Sequence, residues 1–178
     1  MRMRNTLFVS VAVAGACLFT GWFCTAAPVL PRTGRVSNEI ISLANVQQIA
    51  VSVKHRSQVL KDQGYEPKLA KKHIQQMLIE RSYEISQDPA APTLSIVILT
   101  ESDPDDHPGV IGFTYHVSLE QNVLIERLDR RLYVPTYALV HGSLTATATL
   151  KADVEALLPT VIDHFHSRVQ SANKQFGE

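Results

Sequence analysis

The stretch Phe113-Thr114-Tyr115-His116-Val117-Ser118-Leu119-Glu120-Gln121-Asn122-Val123-Leu124-Ile125-Glu126-Arg127 decides the fold. Phe113, Tyr115, Val117, Leu119, Val123 and Ile125 hold odd positions, with Gln121 and Arg127 in the same phase. Thr114, His116, Ser118, Glu120, Asn122 and Glu126 hold even ones, and Leu124 alone interrupts them. Successive side chains of a strand point to opposite faces, so one long strand presents six apolar side chains to a single face. Such a strand needs cover on one side only. Gln121 then becomes a buried amide that must find a hydrogen-bond partner. Arg127, near the strand end, can reach water along its aliphatic stem.

Upstream, Thr93-Leu94-Ser95-Ile96-Val97-Ile98-Leu99-Thr100 is an almost unbroken β-rich run, suited to a central strand buried on both faces. Glu101 to Gly109, with two prolines and three aspartates, reads as a loop. Asp129-Arg130-Arg131 predicts a polar turn after the long strand, and Leu132 to Val140 a return strand. Pro135 cannot donate to a ladder, which puts the return strand at an edge or bulges it there. Ile49 to Val53 alternates apolar with small or polar residues, the period of a half-buried strand.

Helices are read from a different period. Pro67 suits a first helical turn, where its missing N–H has no partner to lose. Leu69, Ile74, Met77 and Leu78 follow on one face, with Lys68, Lys71, Lys72 and Gln75 opposite, predicting a helix from Pro67 to about Arg81. Tyr83-Glu84-Ile85 can add a short extended piece. Leu150, Val154, Leu157, Leu158, Val161, Ile162, Phe165, Val169 and Ala172 keep one face through a long amphipathic helix. Pro159 lies inside it and predicts either a kink or a break with a second helix opening there.

The element order is β-α-β-β-β-α, and the fold class is α+β, with a four-stranded mixed or antiparallel sheet covered by two helices. The Ile49 and Thr93 strands, joined through a helix, are expected to be parallel neighbours with a right-handed crossover.

The N-terminus carries a separate message. Arg2 and Arg4 precede an apolar stretch from Leu7 to Phe23, and no Asp, Glu, Lys or Arg occurs between Asn5 and Pro31. That order is expected of an export signal: arginine resists crossing the membrane while the apolar run partitions into it. Cys24-Thr25-Ala26 offers small residues at −3 and −1, so residues 1–26 are read as a signal peptide, 27–44 as a tether and 45–178 as one domain. Two other fates are open. Ala14-Gly15-Ala16-Cys17 resembles a lipobox, although the residues after Cys17 are large and apolar, and an uncleaved anchor would use the same apolar run. All three place the domain outside the cytoplasm.

Cleavage before Ala27 leaves 152 residues, enough for one sizeable core. Both cysteines, Cys17 and Cys24, precede that point, which removes disulfide and thiol chemistry from the domain. Without Arg2 and Arg4 the basic count falls from 17 to 15 against 17 acidic residues, a formal charge near −2. Such a balance offers no electrostatic footprint for nucleic acid.

The pattern Tyr115-x-Val117-x-Leu119-x-Gln121-x-Val123-x-Ile125-x-Arg127, with the helix ending Phe165…Val169…Asn173, resembles a group of small exported bacterial envelope proteins of unknown function. The element order is also similar to small α+β modules of envelope-assembly lipoproteins. Likeness of fold does not bring function with it, and the resemblance supplies no catalytic residue.

His164-Phe165-His166 beside Asp163 is the densest histidine set, but residues two apart on a helix point about 200° apart and cannot close on one ion. His116 and His141 lie on or beside strands and meet only if the hairpin register joins them. The loop Asp103-Pro104-Asp105-Asp106-His107 has carboxylates without the alternation, central glycine and closing glutamate of a calcium loop. There is no Gly-x-Ser-x-Gly elbow and no glycine-rich phosphate loop. Lys68, Lys71, Lys72 and Arg81 form a stripe that reads as a solvated helix face, with contact to anionic lipid as its functional alternative.

The expectation is therefore an exported cell-envelope protein, a non-catalytic binding or assembly component with no catalytic residue, metal or cofactor. Its partners would be envelope proteins or the membrane surface, met through the edge strand near Pro135 or the charged hairpin. His116, His141, Arg127 and Gln121 are the candidate binding residues. One rival is an envelope hydrolase built from His116, His141 and the acidic loop. Another is a subunit of a larger envelope complex, which a large exposed apolar patch would signal.

Overall fold

The alternation of the long strand is realised where it matters most. Phe113, Tyr115, Val117 and Leu119 are all buried, while His116 between them is exposed. The computed structural model describes residues 37–177. The segment read as a signal peptide, residues 1–26, and the first part of the expected tether lie outside the described residues.

In chain order the elements are α1 (Asn38–Ile41), β1 (Gln48–His55), α2 (Gln58–Asp62), α3 (Pro67–Glu80), β2 (Glu84–Ile85), β3 (Thr93–Glu101), β4 (Val110–Ile125), β5 (Arg130–Ala146) and α4 (Leu150–Phe176). Short 3-10 turns at Glu126–Leu128 and Thr147–Thr149 close the gaps around β5. One mixed sheet has the order β2-β1-β3-β4-β5. β1 pairs parallel with both β2 and β3, as expected of two strands joined through a helix, and β3, β4 and β5 are antiparallel.

The sheet therefore has five strands rather than four. The fifth is the short Glu84–Ile85 piece, which pairs with Gln48 and Ile49 at the sheet's other edge. Two residues carry too little pattern to declare a strand, and pairing with a neighbour decides it. β4 begins at Val110 and ends at Ile125, so Arg127 leaves the ladder and sits exposed in the 3-10 turn. β5 runs from Arg130 to Ala146, longer at both ends than the Leu132–Val140 reading. Its register shifts opposite Leu119 and Glu120: Tyr137 faces Leu119, Pro135 faces Glu120, and Thr136 is the extra residue. Pro135 thus lies both on an edge strand and at a bulge, the two places a residue without an N–H is tolerated.

The helices supply one side of the core. In α3 the buried stripe is Ala70, Ile74, Met77 and Leu78, and Leu69 is 59% exposed. Leu69 precedes the stripe by one residue, a rotation of about 100°, so its size did not make it a core position. In α4 every residue of the expected face is buried except Leu157, which is half-buried. α4 runs unbroken across Pro159. The ring leaves the Glu155 carbonyl without its helical donor, and packing of the flanking Val154, Leu158, Val161 and Ile162 holds the helix together there.

Two elements escaped the sequence reading. Ser57 caps α2 by accepting from the Leu60 amide at 3.1 Å, and Leu60 is fully buried. Residues 38–44, expected at the end of the tether, contain α1 and place Leu43 at full burial. That part of the tether reading is corrected: Leu43 belongs to the same apolar cluster as Phe165 and Tyr115.

Candidate functional site

The core-facing side of the sheet is the odd phase of β4, and the even phase faces away from the helices. The register lines up cross-strand rows on that open face: Val97–His116–Val140, Leu99–Thr114–Gly142 and Glu101–Gly112–Leu144. Small residues keep it flat. Gly112 and Gly142 floor a groove of about 840 Å³ walled by Leu99, Leu144, Arg56 and Glu101. A side-chain carbon at Gly142 would stand 3.0 Å from the Phe113 carbonyl and 3.1 Å from Thr114 Oγ1, so a larger residue there would press on β4. Leu144 is 77% exposed and Val140 62%, and Leu99 and Val110 are exposed beside them.

β5 is the edge beyond β4, and among the described residues its outer side is used unevenly. Glu39 of α1 accepts a hydrogen bond from the Ala138 amide at 3.0 Å, and Ser42 Oγ donates to the Thr136 carbonyl at 3.1 Å. α1 thus covers the edge around Pro135, the stretch expected to recognise partners, and that stretch is already occupied. The Ala138 amide points away from β4, so by the antiparallel alternation the N–H and C=O groups of Val140, Gly142 and Leu144 point the same way. At the far end the Thr147 amide turns back to the Gly109 carbonyl at 2.9 Å. Thr149 Oγ1 donates to Asp153 Oδ2 at 2.8 Å and Thr145 Oγ1 donates to the same oxygen, which fastens the end of β5 to the start of α4. Those hydroxyls, Thr145 foremost, hold the Asp153 carboxyl below the usual carboxylate range.

The expected binding residues do not converge. His116 pairs with Val140, and His141 pairs with Tyr115, one residue out of step. The one-residue offset puts the two imidazoles on opposite faces of the sheet. Gln121 donates through Nε2 to the Ser42 carbonyl at 2.8 Å, so the half-buried amide found its partner in α1. Arg127 is exposed in the turn beyond β4. His166 reaches Tyr83 instead of an ion, its Nδ1 lying 3.1 Å from the hydroxyl, and Arg81 leaves the basic stripe to bind Asp163, Nε to Oδ1 at 3.0 Å. Among the described residues no three His, Cys, Asp or Glu side chains group to hold a metal. No helix among them is long and apolar enough to cross a membrane.

A second concavity of about 300 Å³ lies between α3 and α4, lined by Tyr65, Leu69, His73, Lys151 and Glu155. Tyr65 is buried with its ring edge-on to His55, and its hydroxyl has no hydrogen-bond partner among the described residues. Burial, helped by the nearby Glu155 charge, pushes the Tyr65 hydroxyl up to about 12. The periodicity of the sequence carried no sign of this residue, because Tyr65 lies in the turn before α3.

No family model matches this chain, and no curated protein matches it. Among solved structures, a minor lipoprotein from Acinetobacter baumannii is similar at a TM-score of 0.31 and 12% identity, over 74% of this chain and 91% of that one. A likeness of that size fixes neither family nor activity.

Proposed function

We propose that this chain is an exported cell-envelope component that binds a partner polypeptide without catalysing a reaction, through the open sheet face and the free half of the β5 edge. The observation that carries the reading is Val140–Leu144: exposed apolar side chains on the same residues whose backbone groups point off the sheet. An unpaired edge recognises an extended strand by main-chain hydrogen bonds, and side-chain pockets beside it choose the sequence. The groove floored by Gly112 and Gly142 is such a pocket. Export is supported by the charge-free apolar run behind Arg2 and Arg4.

The test is site-specific photo-crosslinking in the producing cell, with the reactive group at Val140 or, as a control, at exposed Lys72. Envelope polypeptides attached at position 140 and absent at 72 support the reading. Equal labelling at both positions, or attachment to cytoplasmic proteins, overturns it. The exposed Leu99, Val110, Val140 and Leu144 also favour a second reading, a subunit of a larger envelope complex. It predicts that the full chain leaves membranes in mild detergent as part of a multi-protein particle.

A further inference from the structure

We infer that the free half of β5 pairs with the same segment of a second copy of this chain, joining two five-stranded sheets across a two-fold axis at Gly142. The inference rests on the edge reading above and names its occupant.

The open window among the described residues is Leu139-Val140-His141-Gly142-Ser143-Leu144-Thr145. It is bounded at one end by Glu39 on the Ala138 amide and at the other by Ala146, whose carbonyl lies 3.3 Å from Thr149 Oγ1, just before the chain turns at Thr147. Its midpoint is Gly142. An antiparallel copy centred there fills the window from end to end and stops where α1 of each copy blocks it. The outward-pointing residues are the even ones, and the two-fold sets even opposite even, so the free N–H and C=O groups face each other in register.

The side chains agree with that register. Val140 falls opposite Leu144 of the second copy, and Leu144 opposite Val140, giving two apolar pairs on the open face from the window's two most exposed apolar residues. Leu139 meets Thr145, and His141 meets Ser143. Gly142 meets itself at the axis with no side chain to separate the strands. The self-pairing surface is isologous, as a two-fold requires.

Edge strands usually repel such pairing with lysine, proline or an inward charge. This window has no Asp, Glu, Lys, Arg or Pro; those that β5 does carry, Arg130, Arg131 and Pro135, all lie before Ala138. Seven residues at about 3.4 Å each, in a sheet about 10 Å thick, bury roughly 240 Å² of edge per copy. The total of roughly 480 Å² is below the about 1,200 Å² of a standard stable interface. The pair is therefore reversible and concentration-dependent.

The experiment is sedimentation velocity on the full chain, produced in its own host, across a wide concentration range. The expected result is a shift from one to two chains as concentration rises. The double variant Val140→Lys with Leu144→Lys sets like charges opposite each other and stays single. Val140→Lys with Leu144→Glu sets opposite charges in the same two pairs and recovers the two-chain species. Both positions are exposed, and circular dichroism checks that each variant keeps the wild-type fold. A wild-type chain that remains single throughout, or a lysine pair that dimerises like wild type, overturns the inference. If the chain stays single while Val140 still crosslinks an envelope polypeptide, self-pairing is wrong and the edge-binding reading stands. If it dimerises and crosslinks only itself, the reverse holds.

Discussion

The Tyr115 hydroxyl donates to the Val154 carbonyl at 2.6 Å, tying the middle of the long strand to the first turns of the long helix. Tyr115 is fully buried, and burial raises its hydroxyl far above the usual tyrosine range, with Tyr65 and Glu155 adding to the effect. The neighbouring Tyr65 is buried as well, yet its hydroxyl has no hydrogen-bond partner among the described residues. Two phenols in one core differ in a single hydrogen bond.

That difference predicts opposite outcomes for the same substitution. Tyr115→Phe should cost about 1 kcal/mol, the net worth of a typical buried hydrogen bond. Tyr65→Phe should be neutral or stabilising, since it removes a polar atom that has lost water without gaining a partner. Urea unfolding of both variants, at unchanged m-value, measures the two shifts. A Tyr65→Phe loss as large as that of Tyr115→Phe would show that the Tyr65 hydroxyl has a partner in solution.

Alkaline pH should weaken the fold. Burial pushes Tyr65 and Tyr83 from 10.0 up to about 12, with Glu155 adding to the rise at Tyr65 and Arg81 opposing it at Tyr83. A raised folded-state pKa means that the native chain keeps protons the unfolded chain gives up. The stabilisation is complete below pH 10 and lost as pH climbs through about 12. Denaturant midpoints across that window should fall, and fall less in Tyr65→Phe/Tyr83→Phe. A wild-type midpoint that holds constant there would refute the linkage.

Gln121→Leu removes the donor to the Ser42 carbonyl and should cost about 1 kcal/mol. The effect should be local as well as global. α1 carries Glu39, whose carboxylate holds the Ala138 amide, so hydrogen exchange at Ala138 should accelerate. Exchange at Tyr115, in the centre of the sheet, serves as the unaffected reference. Uniform acceleration at both would place the effect elsewhere.

Pro159→Ala returns an N–H to the Glu155 carbonyl inside α4. Proline costs up to about 3 kcal/mol in a helix interior, so the variant should be stabilised by some part of that. Thermal unfolding reads the shift directly. A destabilised variant would mean that the core around Leu158 and Ile162 has packed to the helix geometry that proline imposes.

The period-two run Phe113–Ile125 determined a long one-sided strand, and the period of α4 determined the helix over it, because each pattern repeats often enough to leave one solution. Pro135 likewise announced an edge or a bulge, since a residue without an N–H has few places in a sheet. Neighbours in space decided the rest. α1 and α2 are too short for a period, and the burial of Leu43 and Leu60 defines them. Ala70 displaced Leu69 from the core because the rotation of α3 is set by what it packs against. Register, invisible along the chain, drew His116 and His141 to opposite faces and gave Gln121 its partner 79 residues away. The division of the β5 edge is a tertiary fact of the same kind. Glu39 reaches Ala138 across 99 residues of sequence, and that contact marks where the edge that α1 covers ends among the described residues.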